Sequence, residues 1–175
     1  MEKADSGNSV TIVAIVLAML VAFAVLPRLF TPPVSAFVGK DAPAFTLDVV
    51  ANGETPRLSL ADLKGKPVLL DFWATWCGPC QAEAPVVNKV AQRFKDRGLA
   101  VVGVNTSDEP GRAAPWARGK GITFPIVYDP NDVAPKYGVE NLPTLVLVSK
   151  EGKILAVRTG VTSDSELERL VTSAL

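Results

Sequence analysis

The fold is decided by one stretch, Val68-Leu69-Leu70-Asp71-Phe72-Trp73-Ala74-Thr75-Trp76-Cys77-Gly78-Pro79-Cys80-Gln81-Ala82-Glu83-Ala84-Pro85. It begins as an apolar run typical of a buried strand and continues with polar and apolar residues at helical spacing. The only two cysteines of the 175-residue chain lie where one pattern gives way to the other. A Cys-x-x-Cys pair at such a junction indicates a redox motif.

The position of Cys77 at the start of the predicted helix has a chemical consequence. Free backbone N–H groups and the positive end of the helix dipole stabilise an anion there. We therefore expect Cys77 to ionise more readily than a free thiol, whose pKa is about 8.5. Cys80 lies on the same helical face and can form a disulfide with Cys77. Cys77, with the freer sulfur, would attack a substrate disulfide and Cys80 would resolve it; an inert structural disulfide is the alternative.

Trp76-Cys77-Gly78-Pro79-Cys80 resembles the active-site motif of the thioredoxin family. Asp71 stands where thioredoxins carry a buried carboxylate. Glu83 and Pro85 resemble the membrane-tethered, extracytoplasmic branch of that family, the TlpA/ResA-like proteins. The resemblance extends from about Val38 to the C-terminus. It implies a thiol–disulfide oxidoreductase whose two cysteines form a redox-active disulfide.

Hydrophobic periodicity and turn residues predict strands at 45–50, 57–60, 68–73, 100–104, 124–128, 144–148 and 153–158, and helices at 77–95, 108–120, 133–137 and 164–175. The first two strands form a hairpin around Asn52-Gly53, and the last two form another. This order predicts an α/β fold with helices on both faces of the sheet. By resemblance it is a thioredoxin-like central mixed sheet with an N-terminal β-hairpin and an α-β-α insertion at about 108–137.

Four parts are predicted along the chain: a short polar tail (1–9), an apolar segment (10–26), a linker (27–38) and a thioredoxin-like domain (39–175). The apolar segment, about 17 residues, is near the lower limit for a transmembrane helix. It is interpreted as an uncleaved transmembrane anchor, because the residues before it are not basic and it exceeds the usual length of a signal core. The alternatives are a signal peptide cut after Val34-Ser35-Ala36 and a buried core helix.

The location follows from the resemblance, since Lys3 and Arg28 leave the orientation in a membrane undetermined by charge. The resemblance implies a single-pass protein of the bacterial cell membrane with its C-terminal domain outside the cytoplasm. It also implies protein thiol or disulfide substrates, such as the cysteines of apocytochrome c or of copper proteins. A membrane dithiol protein would be the electron donor.

The composition excludes several classes of function. Lysines and arginines number 18, as do aspartates and glutamates, so there is no basic footprint for nucleic acid. The chain contains no histidine, which excludes Ser-His and Cys-His catalysis and every histidine-ligated metal site. We predict no cofactor and no metal site.

Two carboxylates are candidates for proton transfer. Asp71 lies within an apolar strand, where burial of an ionised carboxylate is costly, so its pKa should rise. A raised pKa is what a base for Cys80 requires at neutral pH; the alternative is that Asp71 faces solvent. Glu83 is the second candidate, since it follows Cys80 by three residues on the helix. Glu83 would otherwise be a surface residue, but the resemblance assigns a glutamate here to the active-site region.

Substrate contacts are expected around the motif and at Leu142-Pro143-Thr144. By resemblance, Pro143 is a cis-proline that faces the disulfide, and the backbone of Leu142 pairs with a bound substrate strand. Trp76 is expected to be an exposed contact surface. Trp73 either contributes to the site or packs in the core.

The residues between the cysteines, Gly78 and Pro79, favour a reductase. They help to set the potential of the couple, and thioredoxin itself, at about −270 mV, is reducing, whereas the oxidant DsbA is near about −120 mV. A thiol oxidant remains an alternative. A copper-binding assembly protein is another, because Cu(I) prefers thiolates, although both methionines, Met1 and Met19, lie outside the domain. A peroxidase is disfavoured, since Leu70 and Ala74 replace the proline and threonine of the peroxiredoxin motif.

Overall fold

The computed structural model describes residues 6–29 and 36–175, with side chains described from 11 to 23 and from 36 onward. The chain divides into two compact units, Met1–Val34 and Ser35–Leu175. The first unit contains helix α1 (Ser6–Leu29), which begins inside the predicted tail and continues beyond Pro27. In the described part of the chain, no helix is long and apolar enough to span a membrane.

Parts of the sequence-based predictions lie outside the described residues. The predicted anchor, 10–26, lies within α1, but the side chains of Val10 and of 24–26 are not among those described. Residues 1–5 of the tail and 30–35 of the linker also lie outside them, as do two of the three residues of the alternative cleavage site.

Over its described residues, 36–175, the second unit contains seven strands, three α-helices and three short 3-10 helices. The strands are β1 (Thr46–Ala51), β2 (Arg57–Ser59), β3 (Val68–Trp73), β4 (Ala100–Thr106), β5 (Ile126–Asp129), β6 (Thr144–Val148) and β7 (Ile154–Thr159). The α-helices are α2 (Gly78–Phe94), α3 (Ala113–Gly119) and α4 (Asp164–Thr172). The 3-10 helices are Leu60–Leu63, Lys95–Arg97 and Ala134–Tyr137.

The strands form one mixed sheet in the order β2-β1-β5-β4-β3-β6-β7. Strands β3, β4 and β5 are parallel, whereas β1–β2, β1–β5, β3–β6 and β6–β7 pair antiparallel. Both predicted hairpins and the thioredoxin-like mixed sheet are therefore confirmed. The register places Asp71 of β3 between Gly103 of β4 and Leu145 of β6, in the interior of the sheet.

Different elements cover the two faces of the sheet. Because side chains alternate along a strand, Leu69 and Trp73 pack in the cluster that contains α2, α3 and α4. Leu70 and Phe72 belong to a second cluster on the other face, with residues of the 3-10 helix Ala134–Tyr137. Asp71 shares the parity of Leu69 and Trp73, so the strand directs it to the face covered by the α-helices.

The predicted helix at 108–120 is wrong in its first turn. Residues 108–112 are turns and bends, and α3 begins only at Ala113. The carboxylate of Asp108 accepts hydrogen bonds from the chain around it, and Gly111 has a φ of 87°. A left-handed residue cannot continue a right-handed helix, so the segment enters α3 from a loop.

The globular unit begins slightly before the predicted boundary at 39. The Gly39 N–H donates to the Ile154 carbonyl at 2.8 Å, and the Ile154 N–H donates to the Lys40 carbonyl at 2.9 Å. Phe37 packs against the second cluster. The end of the predicted linker is therefore part of the folded unit.

Candidate active site

The two cysteines lie at the start of α2, as the strand-to-helix junction predicts. Cys77 is the N-cap of the helix, and its Sγ accepts a hydrogen bond from the Cys80 N–H at 3.2 Å. The two residues form a disulfide with an S–S distance of 2.05 Å. In the reduced state this N–H and the helix dipole would stabilise a Cys77 thiolate.

The expected difference in exposure between the two cysteines is absent from the disulfide form. Cys77 is 4% exposed and Cys80 is 3% exposed. Both pack in the apolar cluster beneath α2, so the bonded pair is covered equally. The roles of attacking and resolving cysteine stay predictions, supported by the position of Cys77 at the N-cap.

Asp71 is buried on the same face of the sheet as the cysteines. It lines a cavity of about 10 Å³ together with Cys80, and its Oδ1 has no hydrogen-bond partner among the described residues. Burial raises the pKa of Asp71 well above its usual value, and the nearby carboxyl of Glu83 raises it further. The alternative of a solvent-facing Asp71 is therefore excluded.

Glu83 is also buried, with 1% of the residue exposed, so the alternative of a surface glutamate is wrong. Its Oε1 accepts a hydrogen bond from the Thr162 N–H at 2.7 Å, in the loop before α4, while its Oε2 has no partner among the described residues. Burial raises the pKa of Glu83, and the hydrogen bonds from Thr162 oppose that rise.

The coupling between Asp71 and Glu83 was not predicted from the sequence. They lie twelve positions apart on a strand and a helix, yet the carboxyl of Glu83 acts electrostatically on Asp71. Two like charges in a buried site disfavour double ionisation, so one proton is retained at the pair more readily than at either carboxylate alone. The only signal in the sequence was the position of Glu83 one helical turn after Cys80.

The segment Leu142-Pro143-Thr144 begins β6, and its Leu142–Pro143 peptide bond is cis. The Pro143 carbonyl accepts a hydrogen bond from the Gly160 N–H at 2.9 Å, and the Thr144 hydroxyl donates to the Asn141 carbonyl at 2.7 Å. Leu142 packs against both clusters, one of which contains the cysteines. Binding of substrate by this segment stays a prediction.

The residues of the motif other than the cysteines face outward. Trp76 is 62% exposed, and its indole N–H donates to the Ser107 carbonyl at 2.8 Å, which fixes the ring beside the motif. Gly78 and Pro79 are also exposed. Trp73 is buried in the core. The predicted exposure of Trp76 is confirmed, and the core position of Trp73 is one of the two alternatives that the sequence left open. Contact of Trp76 with a substrate stays a prediction.

Asp108 organises the loop before Cys77, a role that no pattern in the sequence indicates. Its carboxylate accepts hydrogen bonds from the Thr75 N–H at 2.6 Å, the Thr75 hydroxyl at 3.0 Å, the Asn105 side-chain amide at 3.0 Å and the Glu109 N–H at 2.9 Å. Partial burial alone would raise the pKa of Asp108, but these hydrogen bonds outweigh it and lower the pKa. The sequence predicts instead that a helix begins at Asp108.

Among the described side chains, those of residues 11–23 and 36–175, no group of three or more His, Cys, Asp or Glu is placed so that it could hold a metal ion. The arrangement of a dithiol at a helix start with buried carboxyls behind it is suited to reversible thiol–disulfide exchange.

Comparison with known proteins agrees with this chemistry. The sequence profile of the AhpC/TSA family matches residues 38–157. This chain belongs to that family. It is 35% identical over 164 residues to the thiol–disulfide oxidoreductase ResA of Geobacillus kaustophilus, covering 93% of this chain and 92% of the relative. It is 36% identical over 154 residues to ResA of Bacillus subtilis, covering 87% and 84% respectively.

A solved structure shares the fold. The thioredoxin domain of a thiol–disulfide oxidoreductase from Bacteroides vulgatus superposes with a TM-score of 0.70 and 31% identity, covering 79% of this chain and 98% of that one. Because its relatives are thiol–disulfide oxidoreductases, this chain is a thioredoxin-like thiol–disulfide oxidoreductase of the ResA type. The Cys77–Cys80 pair is its disulfide.

Proposed function

We propose that this oxidoreductase works in the reducing direction, on disulfides of other proteins. The observation that carries the proposal is the motif itself: Cys77 caps α2, its sulfur accepts the Cys80 N–H, and only Gly78 and Pro79 separate the cysteines. Thioredoxin itself, at about −270 mV, lies at the reducing end of the range for such dithiols.

The proposed reaction needs only the two cysteines, Asp71, the client disulfide and solvent. The Cys77 thiolate attacks one sulfur of the client disulfide, and the other client sulfur leaves as a thiolate that takes a proton from solvent. The Cys80 thiol gives its proton to Asp71, and its sulfur then attacks the Sγ of Cys77. The client's second sulfur leaves as a thiolate that takes a proton from solvent, the Cys77–Cys80 disulfide forms, and two electrons have passed to the client.

Asp71 is suited to this proton transfer. Because burial raises its pKa, its carboxylate is a stronger base than an exposed aspartate and is closer in pKa to a thiol. The carboxyl of Glu83 contributes to the same shift. We therefore assign Asp71 as the base for Cys80 and Glu83 as the group that tunes it.

The proposal includes a location outside the cytoplasm at the bacterial cell membrane, with electrons from a membrane dithiol protein and clients such as the cysteines of apocytochrome c or of copper proteins. The support is the apolar segment 10–26 and the proline-containing linker after it, together with the likeness to the tethered branch.

Alkaline extraction of cell membranes tests the attachment. The full chain should stay with the lipid and a chain starting at Ala36 should not; release of both would contradict tethering.

Trapping of mixed disulfides tests the function. Cys80→Ala removes the resolving thiol, so Cys77 should remain bonded to client proteins, and these adducts should release on reduction with dithiothreitol. Cys77→Ala is the matched control, since it keeps Cys80 but removes the attacking thiolate, and it should capture nothing. Equal capture by both variants would contradict the assigned roles.

A further inference from the structure

The cavity beside Asp71 and Cys80 has a third polar group on its wall. It has a volume of about 10 Å³ and lies between β3, α2 and α3, and Trp116 of α3 lines it together with apolar side chains. About 10–15 Å³ is the space that the centre of one water molecule needs in a protein interior. The cavity is therefore of the size for a single water.

Two residues that line this cavity each carry a buried polar atom without a partner in the described part of the chain. One is Oδ1 of Asp71, an acceptor, and the other is Nε1 of Trp116, a donor. Buried polar groups without a partner are uncommon, and an ordered water is a usual explanation. A water between these two residues would accept the indole N–H and donate to the carboxylate, so both atoms would be satisfied.

Trp116 lines a surface depression as well as this cavity. Its ring stacks on that of Trp73, with ring centroids 4.3 Å apart and planes inclined by 30°. The same residue lines an open surface depression of about 440 Å³, which Thr75, Trp76 and Arg112 also border. The indole therefore lies between the depression beside the redox motif and the interior cavity behind it.

We propose that Trp116 is a positioning residue, whose indole N–H and Asp71 Oδ1 bind one water beside Cys80 while its ring shields that water from the surface depression. The water takes the proton of the Cys80 thiol and passes one of its own to Asp71, so that it is regenerated and the net transfer is from Cys80 to Asp71. The inference rests on the proposed role of Asp71 as base. It is independent of whether the enzyme works as a reductase.

Few titratable groups can affect this transfer. Those that face Asp71 are Cys80 and Glu83, both on α2. The neighbouring strands place Gly103 and Leu145 beside it, and α3 contributes only the indole of Trp116 to the cavity. A change in the pH profile of the Cys80 step therefore reports on Asp71 and its coupled partner Glu83.

The test uses Trp116→Phe in the full chain, because phenylalanine retains an aromatic ring but lacks the N–H. The measured quantity is the rate at which Cys80 resolves a mixed disulfide between Cys77 and a model peptide, as a function of pH. We expect a slowing of roughly two- to tenfold, the worth of one hydrogen bond. The profile should also move to higher pH, since loss of the water's hydrogen bond disfavours the ionised carboxylate. The rate at which Cys77 is alkylated should not change.

A double-mutant cycle separates this inference from the role of Asp71. If Trp116 acts through Asp71, then Trp116→Phe should cause no further slowing in an Asp71→Asn background. Equal slowing in both backgrounds, or an unchanged rate and profile in the single variant, overturns the inference for Trp116 alone. If Asp71→Asn leaves the Cys80 step unchanged, the proposed base role fails and the water relay with it.

A measurement on the unmodified chain covers the case in which Trp116→Phe does not fold. The chain has three tryptophans, so nuclear magnetic resonance should resolve three indole N–H signals. The Trp116 signal should shift with pH in step with the carboxyl carbon of Asp71. A Trp116 signal that ignores this ionisation would contradict the water bridge.

Discussion

At the scale of single residues, three carboxylates near the redox motif are controlled by opposite effects. Burial raises the pKa of Asp71 and of Glu83, and the carboxyl of Glu83 adds to the rise at Asp71, while hydrogen bonds lower the pKa of Asp108. The burial of Asp71 could be predicted, because the apolar residues on both sides of it indicate a buried strand. The hydrogen bonding of Asp108 could not be predicted, since its partner Thr75 is 33 residues away in the sequence.

Asp71→Asn is expected to raise the free energy of unfolding at neutral pH. The pKa of Asp71 is higher in the folded state than in the unfolded state, so stability is lost as pH rises from the unfolded value of about 3.9 through the raised folded value. The amide avoids that loss, and the gain should be on the order of 1–3 kcal/mol. Urea unfolding of the disulfide form at several pH values measures it, and a variant that is less stable throughout would contradict the assignment.

Asp108→Ala should have the opposite signature. The lowered pKa of Asp108 gives stability that is present above the unfolded value of about 3.9 and is lost as pH falls through the folded value. At pH 7 the alanine variant should lose about 1–3 kcal/mol, because the donors of Thr75 and Asn105 lose their acceptor. The difference from the parent should shrink in acid. Asp108→Asn retains one acceptor oxygen, so its stability should lie between that of the parent and that of the alanine variant. A stability difference that does not depend on pH would argue against an ionised Asp108.

At the scale of elements, local patterns specified the strands better than the insertion. The run Val68–Trp73 and the turn at Asn52-Gly53 determine their own conformations, and the structure places both as predicted. Helix α3 is shorter than predicted because Asp108 bonds to the redox loop and Gly111 is left-handed. Such contacts depend on the tertiary arrangement, which hydrophobic periodicity does not contain.

Gly103→Ala tests the close packing of β4 against the helical face. A Cβ at this position would lie 3.0 Å from Nε1 of Trp73, 3.1 Å from Phe124 and 3.3 Å from Ile126. We expect a loss of about 1–3 kcal/mol, the usual cost of overpacking a core. Gly119→Ala in α3 is the matched control, since nothing lies within 4 Å of its Cβ position. Thermal unfolding should show little change for the control; equal effects in both would contradict close packing at Gly103.

At the scale of the whole molecule, the folded unit Ser35–Leu175 includes residues that the sequence suggested were linker. Nothing in the composition near Phe37 distinguishes a docked segment from a spacer. The structure shows the difference, since Phe37 packs against the second cluster and its carbonyl accepts a hydrogen bond from the Lys40 N–H at 3.1 Å. The active site lies away from this segment, at the C-terminal end of β3, where the chain leads into α2.

Removal of residues 36–40 should destabilise the globular unit without altering the redox motif. A chain starting at Asp41 loses the side chain of Phe37 from the second cluster and both hydrogen bonds to Ile154. We expect a loss of about 2–4 kcal/mol relative to a chain starting at Ala36, from one partly buried aromatic side chain and two hydrogen bonds. Unfolding in urea measures the difference. Identical stability of the two chains would show that the segment is a linker after all.

The most direct test of the proposed function is the reduction potential of the Cys77–Cys80 pair. The full chain would be equilibrated with glutathione or dithiothreitol buffers, and the free thiols counted after alkylation. We expect a value at or below about −230 mV, which a reductase with its own electron supply requires. A value near about −120 mV would contradict the proposed direction and make the protein a donor of disulfides. A pair that failed to exchange with either buffer would be a structural disulfide.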